Sequence, residues 1–292
     1  MDAVEIEKAI EQRRIWLGRH LAEAAQQLNV TPRGPVVKTY DLRSAGVRAL
    51  DDDHGEVWLR VVFEDPDYQP ACRWDGNVEA NTINGVPKPQ VLRCADWHNQ
   101  DDYRQGCRLR GEVMTLAPGT TITSDSVLDR DPNLPDSWWA NLQQALAALA
   151  AHPVPATDPV NTLRFTTNGV RKHFDVRLNE DTFTGLTWTT AHADLHWGNL
   201  TGPQLCILDW ECWRRAPAGY DAATLYCNSL PHPPTAQRIR RLFEPVLDTH
   251  SGHIALLFAL CRYLNITEDG DEYEALAAPL RNLGAQVLDR LS

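Results

Sequence analysis

The strongest constraint on this chain is the stretch HADLHWGNL at 192–200, followed by CILDWE at 206–211. Thr201-Gly202-Pro203-Gln204 has turn composition, and Leu205-Cys206-Ile207-Leu208 reads as a short buried strand after it. A hairpin there folds Asp209 back beside Asn199, so two oxygen ligands ten residues apart could share one ion. Carboxylate and amide oxygens suit a hard divalent cation, which leaves part of its coordination to phosphate and water. Asp194 precedes them on the same loop, placed to accept a hydroxyl proton. The alternative is a buried His192 and an Asp-capped turn without chemistry. Four polar residues in register across a loop and a hairpin are hard to obtain that way.

Charge narrows the partners. The 292 residues carry a formal charge of −11, which argues against a nucleic-acid or membrane-surface binder, since either needs a basic face. A cationic small molecule would be favoured. No apolar run approaches the ~20 residues that span a bilayer. The N-terminus, MDAVEIEKAIEQRR, is charged and lacks a signal-peptide core, so a cytoplasmic protein is expected. The seven cysteines are dispersed, show no C-x-x-C spacing, and read as reduced thiols.

Along the chain, Ile6, Ile10, Leu17, Leu21, Ala24 and Leu28 share one helical face over 3–28. Thr31-Pro32-Arg33-Gly34-Pro35 ends that helix. Strands are predicted at 36–40, 46–50 and 56–63, with Asp51–Gly55 as the turn of a hairpin. In the third, alternation puts Val57, Leu59, Val61 and Phe63 on one face and Trp58, Arg60 and Val62 on the other. A helix is expected around 73–84 and strands at 90–95 and 110–116, with a lobe boundary at Pro118-Gly119. Beyond it, Asp136 or Ser137 would cap an Ala/Leu-rich helix. Another helix is expected near 158–166, and helical periodicity returns at 217–230, 235–249, 252–264 and 271–291. The expected fold class is α+β, a small β-rich lobe over 1–117 followed by a larger helical lobe over 118–292.

His-x-Asp-Leu-x-x-x-Asn with an aspartate one hairpin later is the pattern of a kinase catalytic loop. HADLHWGNL, ILDWE and APAGYDAATL at 216–225 resemble corresponding segments of the aminoglycoside phosphotransferase-like small-molecule kinases, relatives of choline kinases with a bilobal protein-kinase-like fold. The resemblance is concentrated over 190–230 and extends to GVPKPQVL and EVMTLAPG. It implies Asp194 as the catalytic base, Asn199 and Asp209 as Mg2+ ligands, and His192 and Asp221 as structural braces. Backbone groups near Thr115 and Ala117 would meet the base of ATP or GTP. His196 and Trp197 lie close enough in sequence to Asp194 to touch the acceptor, with packing as the alternative for both, and Glu211 is a further candidate contact, with a solvated carboxylate as its alternative. Carboxylates of the region holding Glu268, Asp269, Asp271 and Glu272 bind substrate ammonium groups in families that phosphorylate aminoglycosides; a helix-capping turn is the alternative.

Three departures stand out. VWLR puts Arg60 where such kinases carry a phosphate-binding lysine; a guanidinium can chelate phosphate with two hydrogen bonds. Trp58 falls where a small residue packs on the purine. No G-x-G-x-x-G occurs, and only Ser44-Ala45-Gly46 offers a phosphate-covering turn. Glu79, rather than Asp75, is taken as the helix-borne partner of Arg60. The resulting expectation is an ATP- or GTP-dependent O-phosphotransferase whose acceptor is a small polar molecule, foremost an aminoglycoside-type antibiotic. A kinase of a metabolic sugar or amino alcohol and a degenerate nucleotide-binding regulator are the alternatives. The lack of an A-P-E segment after Asp209 argues against a protein substrate.

Overall fold

The computed structural model describes residues 3–39, 41–64, 72–153, 159–269 and 273–291. The chain divides into two compact units, Met1–Asn81 with Pro89–Ala117, and Thr82–Lys88 with Pro118–Ser292. The segment 82–88, expected in the first lobe, therefore groups with the second unit.

The first unit is a helix laid on an antiparallel sheet. Helix α1 (Ala3–Gln27) precedes β1 (Thr31–Lys38), β2 (Ser44–Asp51) and β3 (Gly55–Glu64). A one-turn helix α2 (Gly76–Glu79), β4 (Val91–His98) and β5 (Arg108–Thr115) follow. The sheet order is β1-β2-β3-β5-β4. Trp16, Leu17, Leu21, Ala24 and Leu28 of the α1 region meet Val57, Leu59, Val61 and Phe63 in one buried cluster with Leu109 and Val113. The period-two face of β3 is thus the core face. A Cβ on Gly111 would lie 2.9 Å from Ala24 Cβ, so glycine in β5 lets the helix settle directly on the sheet. The apolar stripe of α1 is buried only from Trp16 onward; Ile6 and Ile10 are 43% and 38% exposed.

Two turn-type readings are overturned here. The Thr31–Pro35 stretch is the first half of β1, not a terminator. This edge strand tolerates Pro32 and Pro35 because its outer edge needs no ladder hydrogen bond, and its register shifts between Arg33 and Val37. Ser44-Ala45-Gly46 is the start of β2 rather than a phosphate-covering turn, and Ser44 is buried. The β2–β3 turn is closed by Asp51, which accepts from the amides of Asp53 (3.0 Å) and His54 (2.9 Å). Arg93 pairs with that carboxylate and also donates to the Leu28 carbonyl, tying hairpin, sheet and helix together.

The second unit is mostly helical. Short strands β6 (Thr120–Thr121), β7 (Trp188–Ala191), β8 (Thr201–Gly202) and β9 (Arg214–Pro217) pair as β6–β8 and β7–β9. The helices are α3 (Asp136–Ala151), α4 (Pro159–Phe174), α5 (Tyr220–Cys227), α6 (Pro233–Leu242), α7 (Glu244–Leu247), α8 (His250–Asp269) and α9 (Glu274–Leu291). Helix α3 begins at Asp136 with Pro135 in the cap position, so neither Asp136 nor Ser137 caps it. The prolines at 233 and 234 open α6, where the missing amide hydrogens cost nothing. Helix α8 is buried almost continuously from Ile254 to Cys261, the signature of a central core helix; α4, α5 and α9 pack around it.

Cys94, Cys107, Cys206, Cys227 and Cys261 are free thiols, whereas Cys72 and Cys212 are disulfide-bonded, which corrects the uniformly reduced reading. No described helix is long and apolar enough to cross a membrane.

Candidate active site

The catalytic-type loop leaves β7 at Ala191 and is held from two directions. Asp221, in the first turn of α5, accepts from the backbone amides of His192 (Oδ2, 2.8 Å) and Ala193 (Oδ1, 2.9 Å). Burial pushes the Asp221 carboxyl up, and His192 with these two amides offsets part of that. The His192 ring is fully buried and bridges the loop to the hairpin beyond it. Its Nδ1 accepts from the Asp194 amide (3.3 Å), which leaves Nε2–H to donate to the Leu208 carbonyl (2.8 Å). Its ring also stands edge-on to Trp210 at 4.7 Å. Both groups expected to brace the loop therefore contact its backbone.

The hairpin has the predicted local form. Leu200 bridges Ile207, and the amides of Thr201 and Leu208 donate to the carbonyls of Cys206 (3.1 Å) and Asn199 (2.8 Å). That last bond sets Asp209 immediately after the residue paired with Asn199. Asp209 adopts a left-handed conformation (φ 58°) and is exposed. The Asn199 amide nitrogen donates to the Asp194 carbonyl at 3.0 Å and lies 3.2 Å from His196 Nε2. Its amide oxygen has no hydrogen-bond partner among the described residues, so Asn199 and Asp209 offer the all-oxygen donors that a hard cation such as Mg2+ needs. From behind, the Pro87 carbonyl accepts from the Ile207 amide at 2.8 Å. The adjoining Lys88 is buried, and its ammonium has no hydrogen-bond partner among the described residues.

Asp194 itself is partly exposed. Arg262 of α8 donates from Nη2 to Asp194 Oδ1 (2.7 Å) and from Nη1 to the Ala193 carbonyl (2.9 Å). Burial alone would raise the Asp194 carboxyl, but the Arg262 guanidinium, aided by His196 and His192, holds it below the usual carboxylate range. His196 Nε2 lies 3.8 Å from Asp194 Oδ2. Burial pushes that imidazole down against the pull of Asp194, and the ring borders Asp194.

Trp197 does not. It is 0% exposed, stacked on Trp138 at 6.2 Å and edge-on to Trp139 at 6.1 Å, with its Nε1–H donating to Ser229 Oγ at 2.8 Å. Its role is to anchor the loop in the helical core, which corrects the substrate-contact reading. Glu211 is 5% exposed in the turn after Asp209, so it is not the solvated carboxylate that was the alternative reading. The side chains of Glu268 and Asp269, and all of Asp271 and Glu272, lie outside the described residues.

In the first unit, Trp58 and Arg60 occupy the sheet face opposite α1. A Cβ on Gly46 would fall 2.4 Å from the Trp58 ring, so the indole lies flat over the glycine of β2. Arg60 meets Glu112, its cross-strand partner on β5, at 3.5 Å. Glu112 is 1% exposed and also accepts from Asn77 at 2.9 Å. The carboxylate facing Arg60 is therefore Glu112. Glu79 pairs instead with Arg73 (2.7 Å), and Asp75 with Arg110 (2.8 Å). The Thr115 amide donates to the Gln90 carbonyl at 2.9 Å, and the Gln90 amide donates to Thr115 Oγ1 at 2.9 Å. Ala117, past the end of β5, makes no backbone hydrogen bond among the described residues.

No family model matches the sequence, and no curated protein matches it. Solved structures do share its fold. An amicoumacin kinase, hAmiN, in complex with AMP-PNP, Ca2+ and Ami, aligns with a TM-score of 0.58 at 14% identity, covering 97% of this chain and 96% of that one. A thermostable mutant of aminoglycoside phosphotransferase APH(4)-Ia aligns with a TM-score of 0.58 at 12% identity, covering 91% and 97%. A choline/ethanolamine kinase family protein from Mesorhizobium loti aligns with a TM-score of 0.54 at 14% identity, covering 93% and 94%. The α+β, kinase-like fold is shared across nearly the whole chain.

Proposed function

We propose that the chain is a small-molecule kinase, which moves the terminal phosphoryl group of ATP or GTP to a hydroxyl of a small polar acceptor. An aminoglycoside-type antibiotic is the leading acceptor class, and a metabolic sugar or amino alcohol is second. The observation that carries this reading is the Asn199 side chain. Its amide nitrogen is spent on the Asp194 carbonyl and His196, which leaves its oxygen as the donor for a cation, and the Leu208 amide, one residue before Asp209, bonds the Asn199 carbonyl. Proteins that share the fold include an amicoumacin kinase, an aminoglycoside phosphotransferase and a choline/ethanolamine kinase family protein, which favours a small alcohol as acceptor.

When bound, magnesium neutralises triphosphate charge and holds the transferring group in line. Asn199 and Asp209 would hold it. Asp194 Oδ2 receives the proton of the acceptor hydroxyl as that oxygen bonds to the γ-phosphorus and the β–γ bridging P–O bond breaks, releasing the nucleoside diphosphate. The Arg262 pair weakens Asp194 as a base, so its contribution is chiefly orientation of the hydroxyl. A loose phosphoryl-transfer transition state asks for little more. Arg60 would contact phosphate in the place of a lysine, with Glu112 as its fixed counter-charge, and Trp58 would stack on the base.

The test is release of ADP or GDP by the purified protein with magnesium, across aminoglycosides, other hydroxylated antibiotics, sugars and amino alcohols. Acceptor-dependent release that disappears in Asp209→Asn is the expected result. Magnesium-dependent nucleotide binding with no release for any acceptor would instead favour the regulator reading, which the unusual Trp58 and Arg60 motivate.

A further inference from the structure

We propose that Arg262 is a positioning residue for Asp194, one that commits Oδ1 and leaves Oδ2 as the atom that receives the acceptor's proton. The inference rests on the kinase reading above and assigns the orientation of its base.

One planar guanidinium grips two successive residues of the loop. Its Nη1 takes the Ala193 carbonyl at 2.9 Å, and its Nη2 takes Asp194 Oδ1 at 2.7 Å. The mount is rigid: Cys261, Tyr263 and Leu264, the neighbours of Arg262 on α8, are all buried. The gripped peptide is an unusual one. Ala193 has φ 66°, a left-handed conformation that costs a residue with a β-carbon and persists where the surroundings over-determine it. Here they do, because Asp221 Oδ1 accepts from the Ala193 amide at 2.9 Å while Arg262 holds its carbonyl. The left-handed turn and the Asp194 rotamer are thus set by two groups from separate helices. On the other side of the carboxylate, His196 Nε2 stands 3.8 Å from Oδ2, beyond hydrogen-bond reach. Oδ2 is the oxygen left for an incoming hydroxyl. A surface arginine would not need this arrangement, since the side chain is 31% exposed and water could satisfy it.

The test compares Arg262→Ala, Arg262→Lys, Asp194→Asn and the Asp194→Asn/Arg262→Ala double variant. The readouts are magnesium-dependent ATP hydrolysis, with water as acceptor, together with AMP-PNP affinity. Arg262→Ala is expected to lower kcat by about 10²-fold, the scale of an ångström of misplacement, with KM for the nucleotide within about twofold. Arg262→Lys, which keeps the charge but loses the fork, should recover part of that loss. In the Asp194→Asn background the alanine change should add almost nothing, because its effect runs through the carboxylate. Three results would overturn the proposal: unchanged kcat in Arg262→Ala, the same loss whether or not Asp194 is present, or a parallel collapse of nucleotide affinity in both Arg262 variants. Full turnover in Asp194→Asn would sink the kinase reading itself, whereas a dead Asp194→Asn beside a fully active Arg262→Ala would sink only this assignment.

Discussion

The two units fix their charged groups by opposite means. In the sheet, Arg60 meets Glu112 because antiparallel register sets the two opposite each other on neighbouring strands. The partner is dictated by topology, and the ladder would persist without either side chain. In the helical unit, the loop around Asp194 has no ladder. Its shape is held by side chains reaching backbone from far along the chain: Asp221 from α5, Arg262 from α8, and His192 across to Leu208. Changes to the Arg60–Glu112 pair should therefore be tolerated structurally, whereas changes around the Asp194 loop should be felt as conformation.

The largest effect expected is that of Asp194→Asn, which should lower kcat by about 10²–10⁴-fold while leaving nucleotide affinity, measured by calorimetry, almost unchanged. Next comes Asp221→Ala. It strands two buried amide hydrogens, each costing about 1–3 kcal/mol, so urea unfolding should show a loss of about 2–6 kcal/mol together with a fall in turnover. The matching change in the sheet, Glu112→Gln, should keep the fold and shift KM for the nucleotide by less than about tenfold, or 1.4 kcal/mol. A stability loss in Glu112→Gln as large as that in Asp221→Ala would erase the contrast between the units.

The smallest effect is a gain. Lys88→Met removes a buried ammonium that has no hydrogen-bond partner among the described residues and should stabilise the protein by about 1 kcal/mol. Burial lowers the Lys88 pKa from its ordinary 10.5, so the unfolded chain binds that proton more readily than the folded one. Stability should then rise with pH between the lowered value and 10.5, and thermal melts of Lys88→Met should lack that rise.

What could be read from the sequence follows the same division. The hairpin between Asn199 and Asp209 was legible because turn composition is local. Arg262 was not. It lies 68 residues from Asp194 on a helix whose apolar pattern says only that it is core; a lone arginine inside that pattern was the signal available. Glu112 was missed because its facing Arg60 depends on the β3–β5 pairing, while Glu79 looked suitable from its place on a helix. Trp197 was read as a substrate wall because the two tryptophans that enclose it come from α3. Pro32 and Pro35 look like breakers until the strand that holds them proves to be an edge.

The most direct test of the central claim is calorimetric titration of AMP-PNP into the protein with and without magnesium, for wild type, Asp209→Asn and Asp194→Asn. If the loop and hairpin form a metal–nucleotide site beside a separate hydroxyl-orienting carboxylate, wild type and Asp194→Asn should bind with magnesium-dependent affinity. Asp209→Asn should lose that dependence. Equal, magnesium-independent binding by all three proteins would contradict the account.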